Sequence, residues 1–178
     1  MRKVWLVPCL LLWLLMWGPP TFGQTQNDLK RHPDCQYCGM DRKHFAYSRM
    51  VIHHSHGKSV GVCSIFCAAR DYLKNSDGEP ISMTVADYNS KQLIDAAKAY
   101  WVMGGDKSGV MTNRAKWAFQ GKNDALAFIK KHGGRLIDFD EAMKASYEDM
   151  YADMRMLKQM RLEHSRTRLS KSSTAGTN

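Results

Sequence analysis

The spacing of apolar residues divides the chain into stretches of different character. From Val4 to Trp17 almost every position is apolar, with Arg2 and Lys3 in front and Gly18-Pro19-Pro20 behind. Such a run falls short of the ~20 residues of a membrane-spanning helix and matches the roughly 7–15-residue core of a secretory signal. It predicts a signal peptide over residues 1–23, cut near Gly23, with an uncleaved N-terminal membrane anchor as the alternative. Residues 24–34 are mostly polar and read as a flexible lead-in.

Patterned structure begins at Cys35. Phe45 to His54 holds β-formers with partial alternation, His56-Gly57-Lys58 suits a turn, and Ser59 to Val62 can return as a second strand. Ser64 stands at an N-cap position before a helix to about Lys74, whose apolar residues Ile65, Ala68, Ala69, Tyr72 and Leu73 recur three and four apart. Asn75-Ser76-Asp77-Gly78 ends that helix, and Ile81 to Val85 reads as a strand. The order then repeats: a strand at Ala99–Met103, a glycine turn from Gly104 to Gly109 and a strand at Trp117–Phe119. A helix capped by Asp124 and ended by Gly133 follows, then a strand at Arg135–Ile137. The prediction is an α+β fold of two ββαβ-type halves over residues 35–140. Beyond it, Met143, Tyr147, Met150, Tyr151, Met154 and Leu157 fall on one stripe, predicting a long amphipathic helix over 141–164. Residues 165–178, rich in Ser, Thr, Arg and Lys, read as a disordered basic tail.

Composition changes this picture little. A chain of 178 residues, 44% hydrophobic and 24% charged, suits one compact domain or two small halves sharing a core. The formal charge is +9, and loss of Arg2 and Lys3 with the signal leaves +7. Much of it lies between Arg155 and Lys171, so a solvated tail accounts for it without a nucleic-acid partner. Membrane contact would come only through an uncleaved signal. No G-x-S-x-G, phosphate-cradling glycine loop or nucleic-acid motif is present, so a hydrolase or nucleotide enzyme has no support.

The cysteines change it most. Cys35-Gln36-Tyr37-Cys38-Gly39-Met40 places two thiols and a thioether within six residues, and soft sulfur ligands select Cu(I) over harder cations. Zinc takes thiolates but rarely a thioether, so Met40 tilts the motif toward copper. Cys63 and Cys67 follow at the start of the first helix, four apart and able to share a face. The two pairs together also have the spacing of a four-thiolate Zn(II) site, and in an oxidising compartment they could form disulfides. A redox dithiol at Cys35 and Cys38 is a third reading. His53, His54 and His56 sit at the hairpin tip and read as exposed turn residues, with a second, harder metal site as the alternative. Met83 and Met103 read as core, Met111 as a loop residue that could reach Met40, and the methionines of the last helix as packing or a partner surface.

Taken in order, several features resemble the NosL family of nitrous oxide reductase accessory proteins. They are Cys35-x-x-Cys38-Gly39-Met40, the hairpin, Cys63-x3-Cys67, Val85-x-Asp87-Tyr88 and the run Ile94 to Gly104. Val110-Met111, Ala125-x-x-Phe128, Gly133-Gly134 and Phe139-x-Glu141-Ala142 complete the set. The resemblance implies a periplasmic metallochaperone, not an enzyme, that carries Cu(I) to a copper-accepting protein or maturation complex. It also implies a fold related to organomercurial lyase. By position it implies Cys38, Met40 and Met111 as copper ligands, with Cys35 as a further thiolate. Family members are often lipoproteins, whereas Cys9 lies inside the apolar run beside Pro8. No copper role carries over to Cys63, Cys67 or the C-terminal helix.

Overall fold

A computed structural model describes residues 27–75 and 80–175. The signal segment, Cys9 and Ser76-Asp77-Gly78 lie outside the described residues. The elements run α1 (Asn27–Arg31), β1 (Met50–His54), β2 (Ser59–Val62), α2 (Ile65–Lys74), β3 (Pro80–Ala86) and β4 (Leu93–Asp95). They continue as β5 (Tyr100–Met103), β6 (Lys116–Phe119), α3 (Lys122–His132), β7 (Arg135–Ile137) and α4 (Phe139–Ala175).

Two antiparallel sheets carry the fold, with strand orders β2-β1-β3-β4 and β6-β5-β7. In each, the first strand of its half lies between the other two: Met50 pairs with Val62 and Val85, and Trp101 pairs with Ala118 and Ile137. The two ββαβ halves predicted from periodicity are therefore present. β1 and β6 are buried on both faces at Met50–Ile52 and Lys116–Phe119, which is why their sequences alternate poorly. The halves share one core. Tyr88 N–H donates to the Ala118 carbonyl at 2.8 Å, and the Tyr88 ring packs on Trp117, Phe119 and Phe128.

Several expectations need correction. The polar lead-in contains α1, and Asp28 on it reaches two buried guanidiniums, Arg42 at 3.1 Å and Arg49 at 2.9 Å. Ion pairing holds a segment whose composition suggests flexibility. The first strand starts at Met50 rather than Phe45, because residues 42–48 form turns. There Arg49 folds back onto the carbonyls of Ala46 and Lys91, and Ser48 donates to the Cys63 carbonyl at 2.8 Å. Tertiary partners override β propensity here. β4 is an added edge strand that alternation does not reveal. Helix α3 starts at Lys122 with Gly121 as its N-cap, so Asp124 lies in the first turn. Ser64 is the N-cap of α2 by backbone geometry, without a side-chain cap bond.

Helix α4 begins at Phe139 and continues to Ala175, through the segment whose composition predicts a disordered tail. Ala142, Met143, Ala145 and Ser146 bury its first turns, whereas Tyr151 and Met154 are exposed. Asp149 fastens it to the second half, with oxygens 2.6 Å from Lys116 Nζ, Arg114 Nε and Thr112 Oγ1. Among the described residues no helix is long and apolar enough to cross a membrane.

Candidate metal centre

The first cysteine pair lies in a tight loop ahead of β1. Cys35 N–H donates to the Met40 carbonyl and Gly39 N–H to the Cys35 carbonyl, both at 2.9 Å. Gly39 has φ +72°, a left-handed conformation that costs glycine little and most residues far more. Gln36 N–H donates to the Gly61 carbonyl at 3.1 Å and so docks the loop on β2. Gly61 must be glycine, because a Cβ there would stand 2.3 Å from His32 Cβ and 2.8 Å from Arg42 Cζ. Arg42 Nε donates to the Val62 carbonyl at 3.1 Å, one residue before Cys63.

The second pair comes from the junction of β2 and α2. Cys63 ends the strand side and Cys67 sits in the first turn of the helix, one turn apart on the same face. Cys38 Sγ lies 3.5 Å from Cys63 Sγ, Cys63 Sγ lies 3.8 Å from Cys67 Sγ, and all four sulfurs are within 4.8 Å of one another. Cys35, Cys63 and Cys67 are buried, Cys38 is half-buried, and all four are free thiols. Helix and hairpin bring the four thiols together, and no disulfide joins them among the described residues.

Hydrogen bonding polarises the cluster. The Cys63 thiol, then the Cys67 thiol, donates toward Cys35, and this stabilises the Cys35 thiolate far below the usual thiol range. The same bonds hold Cys63 and Cys67 protonated, with burial adding to the effect. A soft cation entering here would displace those protons. The redox reading lacks its usual geometry: Cys35 and Cys38 occupy a turn, not a helix N-terminus that would activate a CxxC dithiol.

A buried carboxylate ties the loop to the hairpin. Asp71, in the middle of α2, accepts from Tyr37 Oη at 2.5 Å and Asn75 Nδ2 at 2.9 Å. Its other oxygen lies 3.0 Å from His54 Nε2, an ion-pair distance without hydrogen-bond alignment. Burial and then the Asp71 bond raise the Tyr37 phenol above its ordinary value. His54 is therefore a partly buried partner of α2, and only its neighbours toward the turn keep the exposure expected of the histidine cluster.

Of the four predicted ligands, Cys35 and Cys38 join the thiol cluster. Met40 and Met111 are half-buried and pack against the core, Met111 with a left-handed φ of +64° unusual for its residue type. Cys63 and Cys67 complete the cluster, and the paired C-x2-C and C-x3-C spacing was the signal for them.

No curated protein matches the chain. Among solved structures, a similar chain is described as the crystal structure of the copper chaperone NosL from Shewanella denitrificans. It shares 25% identity, with a TM-score of 0.48, over 61% of this chain and 87% of that one. The NosL family model matches residues 26–147, from the lead-in through both halves and into α4, and a match over that much of the sequence makes this chain a member of the NosL family.

Proposed function

We propose that the protein is an exported Cu(I) metallochaperone that holds the ion on the Cys35–Met40 motif. It releases the ion to a copper-accepting protein or its maturation machinery. The observation that carries this reading is a set of four thiols within 4.8 Å of one another, three buried and one half-buried, in a member of the NosL family. Thiolates and thioethers are soft donors that favour Cu(I), and the half-exposed Cys38 offers an incoming ligand a point of exchange. By position in the family motif, Cys38, Met40 and Met111 are copper ligands and Cys35 is a further thiolate. The apolar N-terminus supports export to the periplasm, and nitrous oxide reductase is the client to test first.

The test is an anaerobic Cu(I) competition titration against a chromogenic chelator, using residues 24–178 and a Cys35→Ser, Cys38→Ser variant. Tight one-to-one binding that the variant loses is expected. Failure of the wild-type chain to compete would sink the proposal. The compact four-thiol geometry also favours a second reading, a structural Zn(II) module. One zinc per chain retained through purification, with all four cysteines needed for folding, would select it.

A further inference from the structure

The family motif accounts for one cysteine pair, yet the structure places two at the same point. Resting on the Cu(I) reading above, we propose that Cys63 and Cys67 are themselves cargo ligands. The site is then a thiolate-dominated pocket built from both cysteine pairs, with the methionines as its weaker, thioether donors.

The first argument is size. Sulfurs bound to one ion at about 2.3 Å stand about 3.8 Å apart in a tetrahedral shell and about 4.0 Å apart in a trigonal one. The separations of 3.5 and 3.8 Å, with every pair inside 4.8 Å, match those dimensions before any ion is present. Cys63 is central, within 4 Å of both Cys38 and Cys67. A buried cysteine that only fills space packs on apolar neighbours as a small hydrophobe; these two set their sulfurs against other cysteine sulfurs.

The second argument is support. Cys63 is held from both sides: its carbonyl accepts from Ser48 at 2.8 Å, and the preceding carbonyl, that of Val62, accepts from Arg42 at 3.1 Å. Cys67 is fixed by the first turn of α2, whose Ala68 N–H donates to the Ser64 carbonyl at 3.1 Å. Ligands locked by their own hydrogen bonds meet the ion with little reorganisation.

The third argument concerns release. Cu(I) is satisfied by two or three soft ligands, so four thiols around one ion leave a spare. Three of them are buried and Cys38 is not, so retention falls to Cys35, Cys63 and Cys67 while exchange proceeds through Cys38.

The experiment compares Cu(I) affinity of residues 24–178 as wild type, as Cys63→Ala, Cys67→Ala, and as Met40→Leu, Met111→Leu. The ultraviolet thiolate-to-Cu(I) band is recorded for each, and circular dichroism melts verify folding. The expected result is that the Cys63, Cys67 variant loses more than the roughly 10–100-fold that removal of a supporting outer group costs, with a weakened thiolate band. The methionine variant loses less than the cysteine variant and keeps the thiolate band. If the cysteine variant folds and keeps its affinity and band while the methionine variant loses its affinity, the inference is overturned and the chaperone reading stands. If the cysteine variant does not fold, the methionine variant decides alone. If wild type itself binds no Cu(I), the chaperone reading falls first.

Discussion

The two ββαβ halves share a strand order and differ in what they bury. In the first half the joint between second strand and helix is Cys63-Ser64, and the loop ahead of the first strand delivers Cys35 and Cys38 to it. In the second half the same joint is Gln120-Gly121, and the Gln120 N–H is taken by Asp87 from the first half at 2.9 Å. Around the first joint lie buried ions, Arg42, Arg49 and Asp28, together with Asp71. Around the second lie rings, Trp117, Phe119 and Phe128. A common topology thus serves two ends. The second half buries rings at its joint, and the first half spends part of its burial on holding four thiols in one geometry.

Asp28→Ala should break this contrast most strongly. It removes the carboxylate shared by two buried guanidiniums, and loss of such a partner costs about 3–5 kcal/mol. Urea unfolding should show that drop, and Cu(I) affinity should fall with it because Arg42 braces the Val62 carbonyl beside Cys63. A loss under 1 kcal/mol would mean that α1 is dispensable to the first half.

Asp149→Asn asks the parallel question of the second half, with an expected cost of about 2 kcal/mol for weakened bonds to charged groups. Burial alone would raise the Asp149 carboxyl, but bonds from Lys116, Thr112 and Arg114 outweigh it and hold it below its usual range. A depressed folded value means the stabilisation is present above the unfolded value of about 3.9 and is lost as pH falls through the folded one. Acid titration of stability should therefore show a component in the wild type that the variant lacks. Identical profiles would remove Asp149 from the anchoring of α4.

The smallest expected effect, about 1 kcal/mol, belongs to Tyr37→Phe, which deletes the hydroxyl bonded to Asp71. Amide exchange should quicken at Gly39 in the cysteine loop while the second half stays unchanged. Unaltered exchange would mean that the loop is held by its backbone bonds alone.

Much of the fold was legible from local pattern. Apolar alternation and three-and-four spacing marked the β1–β2 hairpin, α2, β3 and the second half, because burial imposes those periods directly on neighbouring residues. Where long-range partners set the conformation, the pattern misled: Phe45 to Ser48 has β-forming residues but turns to let Arg49 and Ser48 find carbonyls. Likewise α1 is polar by composition and ordered by an ion pair that spans 14 residues to Arg42 and 21 to Arg49.

The site divides along the same line. By itself the sequence determined that two thiol pairs and a thioether exist, at spacings suited to a soft metal, and that the chain resembles copper carriers. Only the tertiary structure decided that Cys63 and Cys67 stand within 4.8 Å of Cys35 and Cys38, that all four are free, and that Cys38 alone reaches toward solvent. The physical reason is that spacing along the chain governs which side chains share a face of one element. The approach of a loop, a strand end and a helix start is set by hydrogen bonds and buried charges far away in sequence.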